Sequence, residues 1–176
     1  MADQTFFDEL RAMVVAAETT EQLEAEDESY KRLMSKAGRV LARRPHSRAE
    51  VATKLGDSTQ TDGVLDRLSE LGLIDDVDFA RRWVQERSSR RGRRALLHEL
   101  HSKGIDRETA EAAVEAAGID EQAGATDLAA RYLRRVASKP PKAQAAAIQA
   151  MLLRRGYSYE VIRSAVAAVL PPEGWD

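Results

Sequence analysis

Few side chains in this sequence have the chemistry to act on a substrate. The run His98-Glu99-Leu100-His101 sets two histidines three residues apart. A zinc-protease helix needs them four apart with glutamate directly after the first, so both read as partly exposed helix residues and not as a metal site. Asp75, Asp76 and Asp78 stand close enough in sequence to suggest a cation site. They follow the apolar pair Leu73-Ile74 and precede a helical pattern, where aspartate caps the first turn and complements the helix dipole, so capping is the reading adopted. None of the ten glycines precedes a lysine, which removes the Gly-Lys-Ser/Thr phosphate loop. With no cysteine there is no thiolate ligand, disulfide or cysteine nucleophile, and three histidines without a motif assemble no Ser-His-Asp set. The chain is therefore expected not to be an enzyme, and neither a cofactor nor a metal is expected.

What remains is charge. The formal net charge is only −2, but it is segregated. From Met1 to Tyr30 nine acidic residues face Arg11 alone, a balance of −8 that leaves +6 on the rest of the chain. Lys31 to Lys54 then holds eight bases against Glu50, Asp57 to Asp78 seven acids against Arg67, and Arg81 to Lys103 eight bases against Glu86 and Glu99. A further acidic stretch precedes Arg131 to Arg163, with eight bases against Glu160. Basic blocks recur about every fifty residues, the signature of repeated supersecondary units. The densest block, Arg81, Arg82, Arg87, Arg90, Arg91, Arg93, Arg94 and Lys103, surrounds Gly92. Solvated helix faces paired with local acids are the ordinary fate of such residues, but clustering points to an anionic partner, since guanidinium binds phosphate or carboxylate bidentately. Trp83 and Tyr132 lie among arginines and are placed in the core of their units, with stacking on bases as the alternative.

The elements that position these residues are helices. Ala, Leu, Arg and Glu abound while glycine and proline are sparse, so an all-α fold is expected. Ser47-Arg48-Ala49-Glu50 is a capping box that starts a helix. Asp106 and Ser158 are further N-caps, each shortly after a glycine (Gly104, Gly156) suited to ending the preceding helix in a left-handed turn. Apolar residues at helical spacing mark the buried stripes, as in Leu96, Leu97 and Leu100 or Val161, Ile162, Ala165, Val166 and Val169. The spacing predicts helices over 29–43, 47–55 and 61–71, then 76–90, 92–103 and 106–117, then 122–137, 140–155 and 158–169. The segment from Leu96 to Ile105 matches the one from Ile148 to Tyr157, each with Leu-x-x-basic-Gly before an apolar residue. The expectation is an elongated tandem array of three three-helix repeats, 29–75, 76–117 and 122–170. Before them, 1–28 forms an acidic extension, partly disordered, with a short amphipathic set at Phe6, Phe7, Leu10, Met13 and Val14. The N-terminus is acidic, and an apolar stretch such as 165–170 is far short of the roughly 18 residues a membrane span needs, so a cytoplasmic protein without membrane contact is expected.

The run from Leu41 through Arg43-Arg44-Pro45-His46-Ser47 to Val51, then Leu71-Gly72-Leu73-Ile74-Asp75-Asp76-Val77-Asp78-Phe79-Ala80, then Gly92 and Glu99-Leu100-x-x-Lys103-Gly104-Ile105, resembles the RecX family of bacterial recombination regulators. The resemblance covers about 35–170 and is strongest over 41–116. It implies tandem three-helix repeats, in agreement with the capping and charge patterns. It also implies a non-enzymatic regulator of homologous recombination, DNA repair and the SOS response. Such a protein binds the RecA recombinase filament on DNA, lies in its helical groove, and restrains ATP hydrolysis, strand exchange and filament growth. Weak direct binding of single- and double-stranded DNA is implied as well, and a monomer is expected. The acidic extension falls outside the family core, and Lys139-Pro140-Pro141-Lys142 stiffens the connection inside the third repeat.

The resemblance nominates no catalytic residue, so candidate filament or DNA contacts rest on charge clustering: Arg81, Arg82, Arg90, Arg91, Arg93, Arg94, Lys103, Arg134, Arg135, Arg154 and Arg155. Among them Arg90, Arg91, Arg93 and Arg94 are expected to carry much of the filament contact. A helix-turn-helix transcriptional regulator is the competing reading. Against it, the helix that would read DNA, 61–71, carries Asp62, Asp66 and Glu70 against Arg67. A helical scaffold for another acidic partner is the third.

Overall fold

The structure is a computed structural model that describes residues 2–170; before residue 24 it describes the side chains of Glu18, Glu21 and Gln22 only. Among the described residues it is all-α, with nine helices: α1 Ala2–Leu41, α2 Arg48–Leu55, α3 Thr61–Glu70, α4 Asp76–Arg87, α5 Arg93–Ser102, α6 Arg107–Ala116, α7 Glu121–Arg135, α8 Pro141–Arg154 and α9 Tyr159–Val169. From α2 onward each begins and ends within a few residues of the predicted span.

The caps explain why. Side chains of Ser47, Asp75, Asp106, Asp120 and Ser158 each accept the amide three residues on, at 3.1, 2.9, 2.9, 2.9 and 3.3 Å respectively. At Ser47 the box is complete, because Glu50 accepts the Ser47 amide in return at 3.4 Å. Asp75 is thus a cap, and Asp78 is spent on two arginines of its own helix. Gly104 and Gly156 end α5 and α8 at φ +76° and +81°, where a side chain would be strained.

The helices group in threes, each group with its own core. The first buries Ala37, Val51, Leu55, Val64, Leu65, Leu68 and Ile74. Phe79, Val84, Leu96, Leu100, Ile105 and Val114 fill the second, and Leu128, Ile148, Met151, Leu152, Tyr157, Ile162 and Val166 the third. Leu96 and Leu100 have no exposed surface, and burial of each contributes about 2 kcal/mol. In the second and third groups the last helix packs on the first, α6 on α4 and α9 on α7. By chain contacts there are two compact units, Met1–Ile74 holding the first group and Asp75–Asp176 holding the second and third.

Helix α1 takes in the acidic segment from Ala2 onward. Its Ala, Glu, Gln and Leu are strong helix formers, and Lys31 pairs back to Asp27 at 2.7 Å and Glu28 at 3.3 Å, one turn away. The carboxylates of these two raise the Lys31 pKa. The amphipathic set at Phe6, Phe7, Leu10, Met13 and Val14 lies outside the described side chains.

Candidate functional site

The candidate arginines do not form one uniform face, because local acids claim some of them. On α4, Arg81 and Arg82 both pair with Asp78, the latter at 2.6 Å. Arg91 pairs with Glu99 of α5 at 2.9 Å, and Arg87 reaches the same carboxylate at 3.7 Å while also pairing with Glu86 at 2.9 Å. The Trp83 indole N–H donates to Glu99 at 3.1 Å. The Arg87 guanidinium lies 3.5 Å from the Trp83 ring centroid, and the Lys103 ammonium 5.1 Å. Phe79 stacks on the same ring with centroids 5.7 Å apart. Trp83 is therefore engaged from several sides and half-buried against the second core, as is Tyr132 against the third. Arg134 and Arg135 stand exposed in the last turn of α7, where the helix dipole favours positive charge.

A second arrangement brings together residues more than sixty apart. The Gly92 amide donates to the Arg155 carbonyl at 2.8 Å, and the Arg155 guanidinium donates to the Arg90 carbonyl at 3.2 Å. The Glu121 carboxylate accepts the Arg93 amide at 2.7 Å. The two backbones meet directly: a Cβ on Gly92 would lie 2.6 Å from the Gly156 carbonyl oxygen, and one on Gly156 would lie 2.3 Å from the Ala95 nitrogen. Around this joint Arg90, Arg93, Arg94 and Arg154 are exposed, and none of them forms an ion pair among the described residues. Of the basic candidates, then, Arg90, Arg93, Arg94, Arg154 and Arg155 are gathered at one place, Arg91 is turned to Glu99, and Arg81 and Arg82 are held by Asp78.

Sequence reasoning missed the joint itself. Gly156 was legible as a helix stop, but its role as the floor for Ala95 depends on tertiary placement. Glu121 was missed too, and Tyr157 was legible only as the apolar residue after Gly156. Tyr157 is 1% exposed, and its hydroxyl has no hydrogen-bond partner among the described residues. Burial, with the Glu121 carboxylate adding to it, holds its pKa above the ordinary phenol range.

His98 and His101 line a shallow pocket of about 290 Å³ with Leu97, Ala110 and the paired Arg107 and Glu111. Among the described residues no group of three or more His, Asp or Glu side chains is placed to hold a metal ion. Nor, among them, is any helix long and apolar enough to cross a membrane.

The repeat architecture has counterparts among known proteins. Residues 75–114 match the family model for the second three-helix domain of RecX, and residues 120–166 match that for the third. Over 157 residues the chain is 36% identical to the regulatory protein RecX of Thermobifida fusca, with 85% of each chain covered. The chain belongs to the RecX family. The RecX of Mycobacterium ulcerans is 41% identical over 145 residues, covering 77% of this chain and 83% of the relative. The fold is shared with the crystal structure of RecX from Lactobacillus salivarius, at a TM-score of 0.70 and 22% identity, over 81% of this chain and 97% of that one. In this RecX-family chain the two matched domains are the ones that meet at Gly92 and Gly156.

Proposed function

We propose that this chain binds the RecA recombinase filament assembled on DNA and restrains its ATP hydrolysis, strand exchange and extension, as a non-enzymatic cytoplasmic regulator of homologous recombination and DNA repair. Membership in the RecX family of regulatory proteins is the observation that carries this reading. The arrangement of basic residues supports it. Each three-helix repeat from α4 onward offers arginines whose side chains pair with no acid among the described residues, Arg90, Arg93 and Arg94 in one and Arg134, Arg135 and Arg154 in the next. Linking modest surfaces in one chain raises the effective concentration of each, so one molecule can bridge several filament protomers. Bridging then opposes the interface movements that ATP turnover requires.

Within the proposed contact set, Arg90, Arg93, Arg94, Arg154 and Arg155 carry more than Arg81, Arg82 and Arg91, because a paired arginine must leave its carboxylate to bind elsewhere. Direct DNA binding is weak and salt-dependent in this reading. The test is RecA ATPase on single-stranded DNA titrated with the protein, with binding to bare DNA measured in parallel at the same salt. Inhibition at protein concentrations that leave free DNA unbound supports a filament regulator. Sequence-selective duplex binding without inhibition supports the helix-turn-helix reading instead. Helix α3 argues against that reading, since Asp66 is occupied by Arg48 at 2.7 Å and Arg67 by Glu70 at 2.9 Å.

A further inference from the structure

We propose that the turn closing helix α3, with Leu71 and Leu73 on its solvent side, docks on a RecA protomer at a surface that sets a lysine or arginine beside an apolar side chain. This rests on the filament reading, and adds a face of the first repeat that meets protein and not DNA.

Most large apolar side chains from α2 onward are spent on the three cores. Leu71 and Leu73 are not: they are 49% and 56% exposed, only two positions apart. A single exposed leucine is ordinary on any protein surface, whereas neighbouring ones mark a contact.

The turn holds them there. Gly72 adopts φ +66° and its amide donates to the Ser69 carbonyl at 2.9 Å. The amides of Leu73 and Ile74 donate to the Leu68 carbonyl at 2.9 and 3.4 Å. These bonds close the helix in a left-handed turn and send Ile74, 4% exposed, into the first core beside Leu68. Leu71 and Leu73 are left outside on a backbone already fixed, so a partner does not have to order it.

Charge selects the partner. Helix α3 carries Asp62, Asp66 and Glu70 against Arg67, and the leucines stand at its C-terminal end, the negative end of the helix dipole. The bases nearby are occupied, Arg67 by Glu70 at 2.9 Å and Arg48 of α2 by Asp66 at 2.7 Å. Such a surface repels a phosphodiester backbone, while an apolar centre with a polar rim is the composition of a protein contact. Its complement is a cation next to an aliphatic or aromatic side chain.

The test uses the full chain and RecA on single-stranded DNA. Leu71→Ser/Leu73→Ser changes exposed side chains only, and circular dichroism with urea unfolding checks that the fold is kept. At least about tenfold more of this variant than of the parent is expected to be needed to halve RecA ATPase. Its binding to a labelled oligothymidylate, read by anisotropy, is expected to stay within about twofold of the parent. A second variant, with photoreactive p-benzoylphenylalanine in place of Leu73, is expected to crosslink to RecA on the irradiated filament. The proposal is overturned if Leu71→Ser/Leu73→Ser inhibits as the parent does, if its oligothymidylate binding falls as far as its inhibition, or if the crosslink goes to DNA. It is also overturned if the parent sediments as a dimer and the variant as a monomer, which assigns the turn to a second copy of this chain. Inhibition that survives in the variant removes this surface and leaves the filament reading standing. A parent that leaves RecA ATPase unchanged removes the filament reading, and this occupant with it.

Discussion

Tyr157 and Gly156, adjacent in sequence, make opposite demands. The Tyr157 ring fills the third core while its hydroxyl is left without a partner among the described residues, so Tyr157→Phe removes a desolvated polar atom and keeps the packing. The expected result is a gain of about 1 kcal/mol in urea unfolding; a loss of that size would mean the hydroxyl is bonded. Because burial and then Glu121 raise the tyrosine pKa, the stability linked to this group is full below the ordinary phenol range and falls as pH rises through the raised value. That alkaline loss should shrink in the phenylalanine variant. Gly156 tolerates no such change: at φ +81° with Ala95 against it, Gly156→Ala is expected to cost more than about 2 kcal/mol. An unchanged urea midpoint would contradict the close contact. At this scale the sequence disclosed the capping residues, because a cap depends on neighbours three positions away. It pointed to Glu86 and Glu99 as local acids for the arginine block, but not to which arginine each meets nor to Asp78 with Arg82, where helix phase and packing decide.

At the scale of helices, stop and start signals outweighed propensity. Gly104 and Asp106 place the turn between α5 and α6, and Gly156 and Ser158 that between α8 and α9. Helix α1 runs on from Ala2 with no stop signal over 2–28, a segment rich in helix formers. The Asp106 cap also titrates. Its bond from the Thr109 amide holds its pKa below the ordinary aspartate range, so the cap stabilises α6 above that range and the contribution is lost as pH falls through the lowered value. Asp106→Asn keeps an acceptor that does not titrate. The variant is expected to lose less stability than the parent between about pH 7 and about pH 3, read as the change in urea midpoint. An equal loss in both would remove Asp106 from the acid response.

For the molecule as a whole, charge period and cap spacing disclosed three repeats, and the three separate cores agree. The joint at Gly92 and Gly156 was not legible, because it depends on two helices more than fifty residues apart meeting at their ends. In the proposed reading the joint links two repeats that each carry exposed arginines, as a multivalent regulator of a DNA-bound filament requires. The most direct test is the rate of ATP hydrolysis by RecA on single-stranded DNA as this protein is added at fixed salt. The expected result is a progressive fall at protein levels well below RecA, where bare DNA is still unbound. A rate that stays constant up to equimolar protein would contradict the account.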